Sequence, residues 1–242
     1  FEFVGDPGDG FDPILFPILT PPVKGAFGSE FHTRGRMWNE SRTHGVNVYG
    51  VDTTCYLLSP TRYPLIPWPL QQDGGEELVL LPACTESVGR LFWVPKGTDS
   101  VAASLRVTDV TRQAESHGVE IPVVHRDDFR DDRVSLLAVP IDRRYRLTLR
   151  IYALLETEQL INISVNGFLR HQLYLQPGPS IFEPAYAQFT DFPLPEELPV
   201  EQDTIRVVVD ASRGESEPVV PIWAFITVTN NETQHITTVT PN

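Results

Sequence analysis

IWAFITVTNNETQHITTVT, Ile222 to Thr240, is the stretch on which the reading of the fold turns. Two runs rich in Ile, Val, Thr and aromatic residues flank the polar segment Asn230-Asn231-Glu232-Thr233. β-Branched and aromatic side chains suit the pleated surface of a strand. Asn tolerates the left-handed backbone that a tight return needs. The stretch therefore reads as a β-hairpin.

Outward from this hairpin the same two-residue alternation recurs along the chain. SEFHTRGRMW (29–38), SVAASLRVTDV (100–110), VEIPVV (119–124), YRLTLRIYAL (145–154), LINISV (160–165), HQLYL (171–175) and TIRVVVDA (204–211) are clear further strands. Gly and Pro, 16 and 22 residues, supply turn signals between nearly all of them. No amphipathic helix emerges; PEELPVEQ (195–202) is at most one turn between prolines. Frequent short strands without intervening helices argue for sandwiches rather than a parallel sheet. The expected fold is all-β: two antiparallel β-sandwich domains, Ig-like or jelly-roll-like, with an extended N-terminal arm. The arm and linker take residues 1–13, the first sandwich 14–140 and the second 141–242. Ile222 to Pro241, together with RRYRLTLRIYAL (143–154), resembles the C-terminal sandwich module of uncharacterised secreted bacterial proteins. That resemblance implies a secreted β-sandwich and no particular activity.

Acidic residues outnumber basic ones 32 to 19, a formal charge of −13. Nucleic acids and anionic membranes need a positive surface, so neither is an expected partner. No uninterrupted apolar run reaches about 18 residues, so no membrane span is expected. The chain opens with Phe rather than Met, for which removal of a secretory signal is the simplest reason. Cys55 and Cys84 are the only cysteines. Two are too few for a structural zinc site. They read as a disulfide, whose closure contributes about 3–4 kcal/mol on the chain-entropy model. An extracellular or cell-surface location follows.

Chemistry is harder to find. In HRDDFRDDR (125–133) arginines interleave with the aspartates, so a self-paired solvated loop is a better reading than a calcium site. Asp6, Asp9 and Asp12 lack the alternate spacing of a calcium loop. The six histidines form no zinc-binding spacing, and no serine sits in a nucleophile elbow. No catalytic residue, metal or cofactor is assigned, and a non-enzymatic protein is expected. Trp38, Trp93 and Trp223 sit in apolar strand patterns and read as core. Trp68, in the proline-bounded LIPWPL, is the tryptophan placed to meet a ligand, with polysaccharide as the candidate. Asn39-Glu40-Ser41, Asn162-Ile163-Ser164 and Asn231-Glu232-Thr233 match the N-glycosylation pattern.

The remaining clue is the opening, FEFVGDPGDGFDP (1–13). A short alternating strand is cut off by a Gly-, Asp- and Pro-rich leash and followed by the apolar ILFPILT (14–20). Such a strand can add to the exposed sheet edge of a neighbour, main-chain hydrogen bonds giving affinity and side chains filling pockets. Phe1, Phe3, Val4, Ile14, Leu15 and Phe16 are the expected subunit contacts. A head-to-tail contact of this kind propagates a filament. The expected role is thus a secreted structural protein that self-associates into a homo-oligomer, filament or surface layer. A carbohydrate-binding module or accessory domain is the alternative.

Overall fold

The computed structural model describes residues 10–19, 22–25, 28–50, 66–78, 89–112, 118–178, 184–190, 192, 203–212 and 219–241. Among them strands dominate, joined by turns and short 3-10 segments, and no α-helix occurs. The chain divides into two compact units between Arg126 and Asp127.

The first unit contains β1 (Phe11–Phe16), β2 (Val23–Lys24), β3 (Glu30–Asn39), β4 (Val46–Gly50), β5 (Ile66–Leu70), β6 (Gly74–Leu78), β7 (Arg90–Pro95), β8 (Val101–Asp109), β9 (Val119–Ile121) and β10 (Val124–His125). One antiparallel sheet runs β10-β1-β7-β4-β5; the other runs β2-β3-β8-β9, with β6 also on β3. The expected strand VEIPVV is split: β9 pairs in one sheet and β10 in the other. Pro122 lies between them and has no N–H for a ladder, which suits a change of sheet there. Alternation is strict on β3, where Thr33, Gly35, Met37 and Asn39 are buried and Arg34, Arg36 and Trp38 are exposed.

The second unit contains β11 (Arg130–Asp131), β12 (Arg133–Pro140), β13 (Tyr145–Ala153), β14 (Gln159–Val165), β15 (Phe168–Leu175), β16 (Ala185–Thr190), β17 (Thr204–Ser212), β18 (Pro221–Asn230) and β19 (Ile236–Val239). One sheet runs β11-β18-β13-β16, with β19 also on β18, and the other runs β12-β17-β14-β15. Every pairing is antiparallel. A single apolar core joins the two sheets, with Leu149, Ile151, Ala224 and Ile226 from one and Leu136, Ile163, Val207 and Val209 from the other. This is the all-β antiparallel architecture that the alternation predicts.

The unit boundary falls earlier than Pro140-Ile141. β12 pairs with β17 from Arg133↔Asp210 to Pro140↔Thr204, and Val134, Leu136 and Val139 are buried in the second core. A strand cannot leave the sheet whose centre it hydrogen-bonds. The chain pattern alone did not show which partner β12 would choose.

The opening hairpin is β18–β19, with Thr229 opposite Ile236. Asn230 Oδ1 accepts from the N–H groups of Glu232 and Thr233 at 2.8 and 3.0 Å. The left-handed residue of the return is Gln234, φ 58°, rather than either Asn. Gln234 is buried and donates from Nε2 to the carbonyl of Asn231 at 2.8 Å.

β18 is buried on both faces from Ile222 to Thr229. On the face of β13 and β18 away from the core lie Tyr152, Trp223 and Phe225, all buried, with Thr227 beside them. Arg150 donates to Thr227 Oγ1 at 2.9 Å and sits 5.8 Å from the Phe225 ring centroid. Burial holds the Tyr152 hydroxyl well above the ordinary tyrosine range and raises that of Tyr186 as well.

Candidate functional site

The side chains best arranged for recognition lie on the outer face of β12, β17, β14 and β15. Residues alternate across a sheet, so those between the core positions must point outward. Register aligns Arg133 with Asp210, Asp210 with Asn162, and Asn162 with Gln172, giving one polar row across all four strands. Gln172 Nε2 donates to Asn162 Oδ1 at 2.6 Å. A second row places Ser135 opposite Val208 and Val208 opposite Ser164. Arg206 is held by a 2.9 Å bond from its Nη2 to Ser135 Oγ.

Part of this face forms an open groove of about 410 Å³ lined by Arg133, Ser164, Asn166, Gly167, Arg206, Val208 and Asp210. Val208 is its apolar floor, buried although it faces away from the core. One end is closed by the turn Asn166-Gly167, with φ of 50° and 87°. Both central residues are left-handed, as in a two-residue type I′ hairpin, here between Val165 and Phe168. Asn166 Oδ1 also accepts the Arg206 N–H at 2.9 Å, tying the turn to β17.

β15 is the outer strand of this sheet, and among the described residues nothing pairs with its far side. Phe168, Leu169 and Tyr174 are 65%, 55% and 65% exposed. Two other edges carry prolines or a bulge. β5 contains Pro67 and Pro69, and β12 has a register irregularity between Leu136 and Val139 and ends in Pro140. Proline and bulges block strand addition. FLRHQLYL, β15, contains neither proline nor lysine, and its one irregularity lies at Arg170, between His171 opposite Ile163 and Leu169 opposite Ser164.

In the first unit two groups are structural. Asn39 is fully buried; its Nδ2 donates to the carbonyls of His44, Leu70 and Gln71, and its Oδ1 accepts the Ser41 N–H. A sequon asparagine used this way has no amide left for a glycan in the folded protein. Burial alone would raise the Asp109 pKa. Bonds from the Thr111 hydroxyl and from the Thr111 and Glu30 N–H groups outweigh it and hold the carboxyl below its ordinary value.

The residues singled out in the sequence do not converge. Phe1, Phe3, Val4, Cys55 and Cys84 lie outside the described residues. Ile14, Leu15 and Phe16 are not an exchanged arm but core: they are buried in β1, which pairs with β7 along its length and with β10 at Ile14 and Leu15. Pro17 follows the end of that strand. Trp68 lies on edge strand β5 opposite Val48. Trp223 is buried, but on the face of β18 opposite the core that joins the two sheets; Trp93 is half-buried, and Trp38 is 48% exposed. Met37 takes the inward position, so Trp38 turns out and lies against Gly75 of β6, where any Cβ would meet the ring at 2.1 Å.

In the acidic loop, Asp132 is structural. Its Oδ1 accepts the Val220 N–H at 2.8 Å, and its carbonyl accepts from Ala211 at 2.7 Å. Among the described residues no cluster of three metal-ligating side chains occurs, and no helix is long and apolar enough to cross a membrane. The groove residues carry no catalytic signature in sequence. The Asn166-Gly167 pair in VNGFLR was the one local signal that would have joined β14 to β15 and placed their outward faces together. Compared with family models, with curated proteins and with solved structures, the chain matches none.

Proposed function

We propose that this chain is a non-enzymatic structural protein of the cell exterior that assembles with copies of itself by strand addition at β15. The observation carrying this reading is the outer edge of β15, unpaired among the described residues, with Phe168 and Leu169 exposed beside it. An open edge offers a row of main-chain donors and acceptors, and flanking apolar side chains reward their burial. The donor we propose is the N-terminal segment Phe1–Val4 of a neighbouring copy, whose sequence alternates as a strand's does. Because β1 belongs to its own sheet, the donor ends before Phe11 and the leash is Gly5 to Gly10. Six residues can reach at most about 20 Å, more than the roughly 14 Å across a four-stranded sheet.

Light scattering on the full chain from micromolar to millimolar concentration tests this. Growth with concentration is expected, and its loss in a chain starting at Gly10 and in Phe168→Lys/Leu169→Lys, with melting temperature unchanged. A full chain that stays monomeric throughout, or variants that grow equally, would reject the reading. A second reading, a carbohydrate-binding module, is favoured by the polar groove on the outer face of β12, β17 and β14.

A further inference from the structure

We propose that the groove on the second unit takes an acidic oligosaccharide, binding a ring carboxylate through Arg133 and Arg206 and ring hydroxyls through Asp210 and Ser164, which line it. This rests on the carbohydrate-binding reading and specifies the sugar.

Opposite charges at directly opposed strand positions ordinarily pair. Arg133 and Asp210 are so opposed, yet neither takes part in an ion pair among the described residues. Both heads are therefore presented to a ligand instead of to each other. Arg206 is pre-aimed by Ser135 and so loses little freedom on binding. Guanidinium and carboxylate groups each offer two coplanar hydrogen-bonding sites, the geometry that vicinal hydroxyls or a carboxylate require. The volume of about 410 Å³ lies in the range of small-ligand sites.

Charge decides the class. The lining carries two arginines and one aspartate, a local excess of one positive charge in a chain of net −13. Asp210 opposes a phosphate or a nucleic acid strand, whose charge cannot be spaced away from it. A uronic-acid ring separates its single carboxylate from its hydroxyls and satisfies both signs. The polar row continues to Gln172, and Tyr174, exposed two residues along β15 and opposite Leu160, offers an aromatic face on which the C–H side of a further ring can stack. The span from β12 to β15, roughly 14 Å, fits several rings rather than one.

Isothermal titration of the full chain with trigalacturonate, cellotriose and tricarballylate tests the assignment. Saturable one-to-one binding of trigalacturonate is expected, with cellotriose and tricarballylate at least about tenfold weaker, the worth of one charge-assisted bond. Arg133→Gln and Arg206→Gln should each weaken trigalacturonate about tenfold, Arg133→Lys less, and Tyr174→Ala severalfold. Thermal melting confirms that each variant is folded. Cellotriose binding as tightly as trigalacturonate would overturn the acidic assignment and leave a sugar site. Equal binding of tricarballylate would overturn the sugar itself, and no binding of any probe would overturn both. Arginine variants that bind like the parent would also overturn it.

Discussion

At the scale of single residues, Asn39 shows how a polar side chain can belong to a core. Its amide satisfies three carbonyls and one N–H from the segments on either side of β4 and β5. Asn39→Ala leaves those groups buried without partners and should cost roughly 2–3 kcal/mol in urea denaturation. Asp109 makes a second, pH-dependent prediction. Its folded pKa is depressed, so its contribution is full above the unfolded value of about 3.9. It is lost as pH falls through the folded value. Between pH 5 and 2 the urea midpoint of the parent should therefore fall more steeply than that of Asp109→Asn. Neither role was legible beforehand. In sequence Asn39 looked like a glycan acceptor, because strand parity reveals which way a side chain points but not what it will meet.

At the scale of elements, the strands were legible and their partners were not. Alternation located β3, β8, β13, β14 and β17 within a residue or two, because one buried face forces a period of two. It could not show that HQLYL begins at Phe168, since β15 exposes both faces over most of its length and so has no alternation to read. The turn before it is a sharper signal, and it makes a clean test. A Cβ on Gly167 would touch nothing within 4 Å, so only the left-handed backbone, φ 87°, opposes a side chain. Gly167→Ala should therefore cost about 1 kcal/mol in thermal or urea denaturation, through strain alone. The candidate groove was invisible for a related reason. Its arginines, serine and aspartate come from three strands far apart in sequence, and only register brings them into rows.

At the scale of the whole chain, composition anticipated an all-β protein without helices, while the break between units moved to Arg126 because β12 pairs forward rather than backward. Charge bears on assembly here. A formal −13 makes copies repel one another at neutral pH. Added salt screens that repulsion but leaves main-chain pairing intact. The growth expected in light scattering should thus strengthen with ionic strength, whereas trigalacturonate binding at the arginines should weaken. The double burial of β18 has an optical consequence. Trp223 lies 4.9 Å from the Phe225 ring and 6.0 Å from Tyr152, whereas Trp38 stands half in water on the other unit. Of the four tryptophans, Trp223 should therefore emit in the blue and report on the aromatic face of the second unit, and Trp38 should emit in the red, open to quencher, and report on the surface of the first.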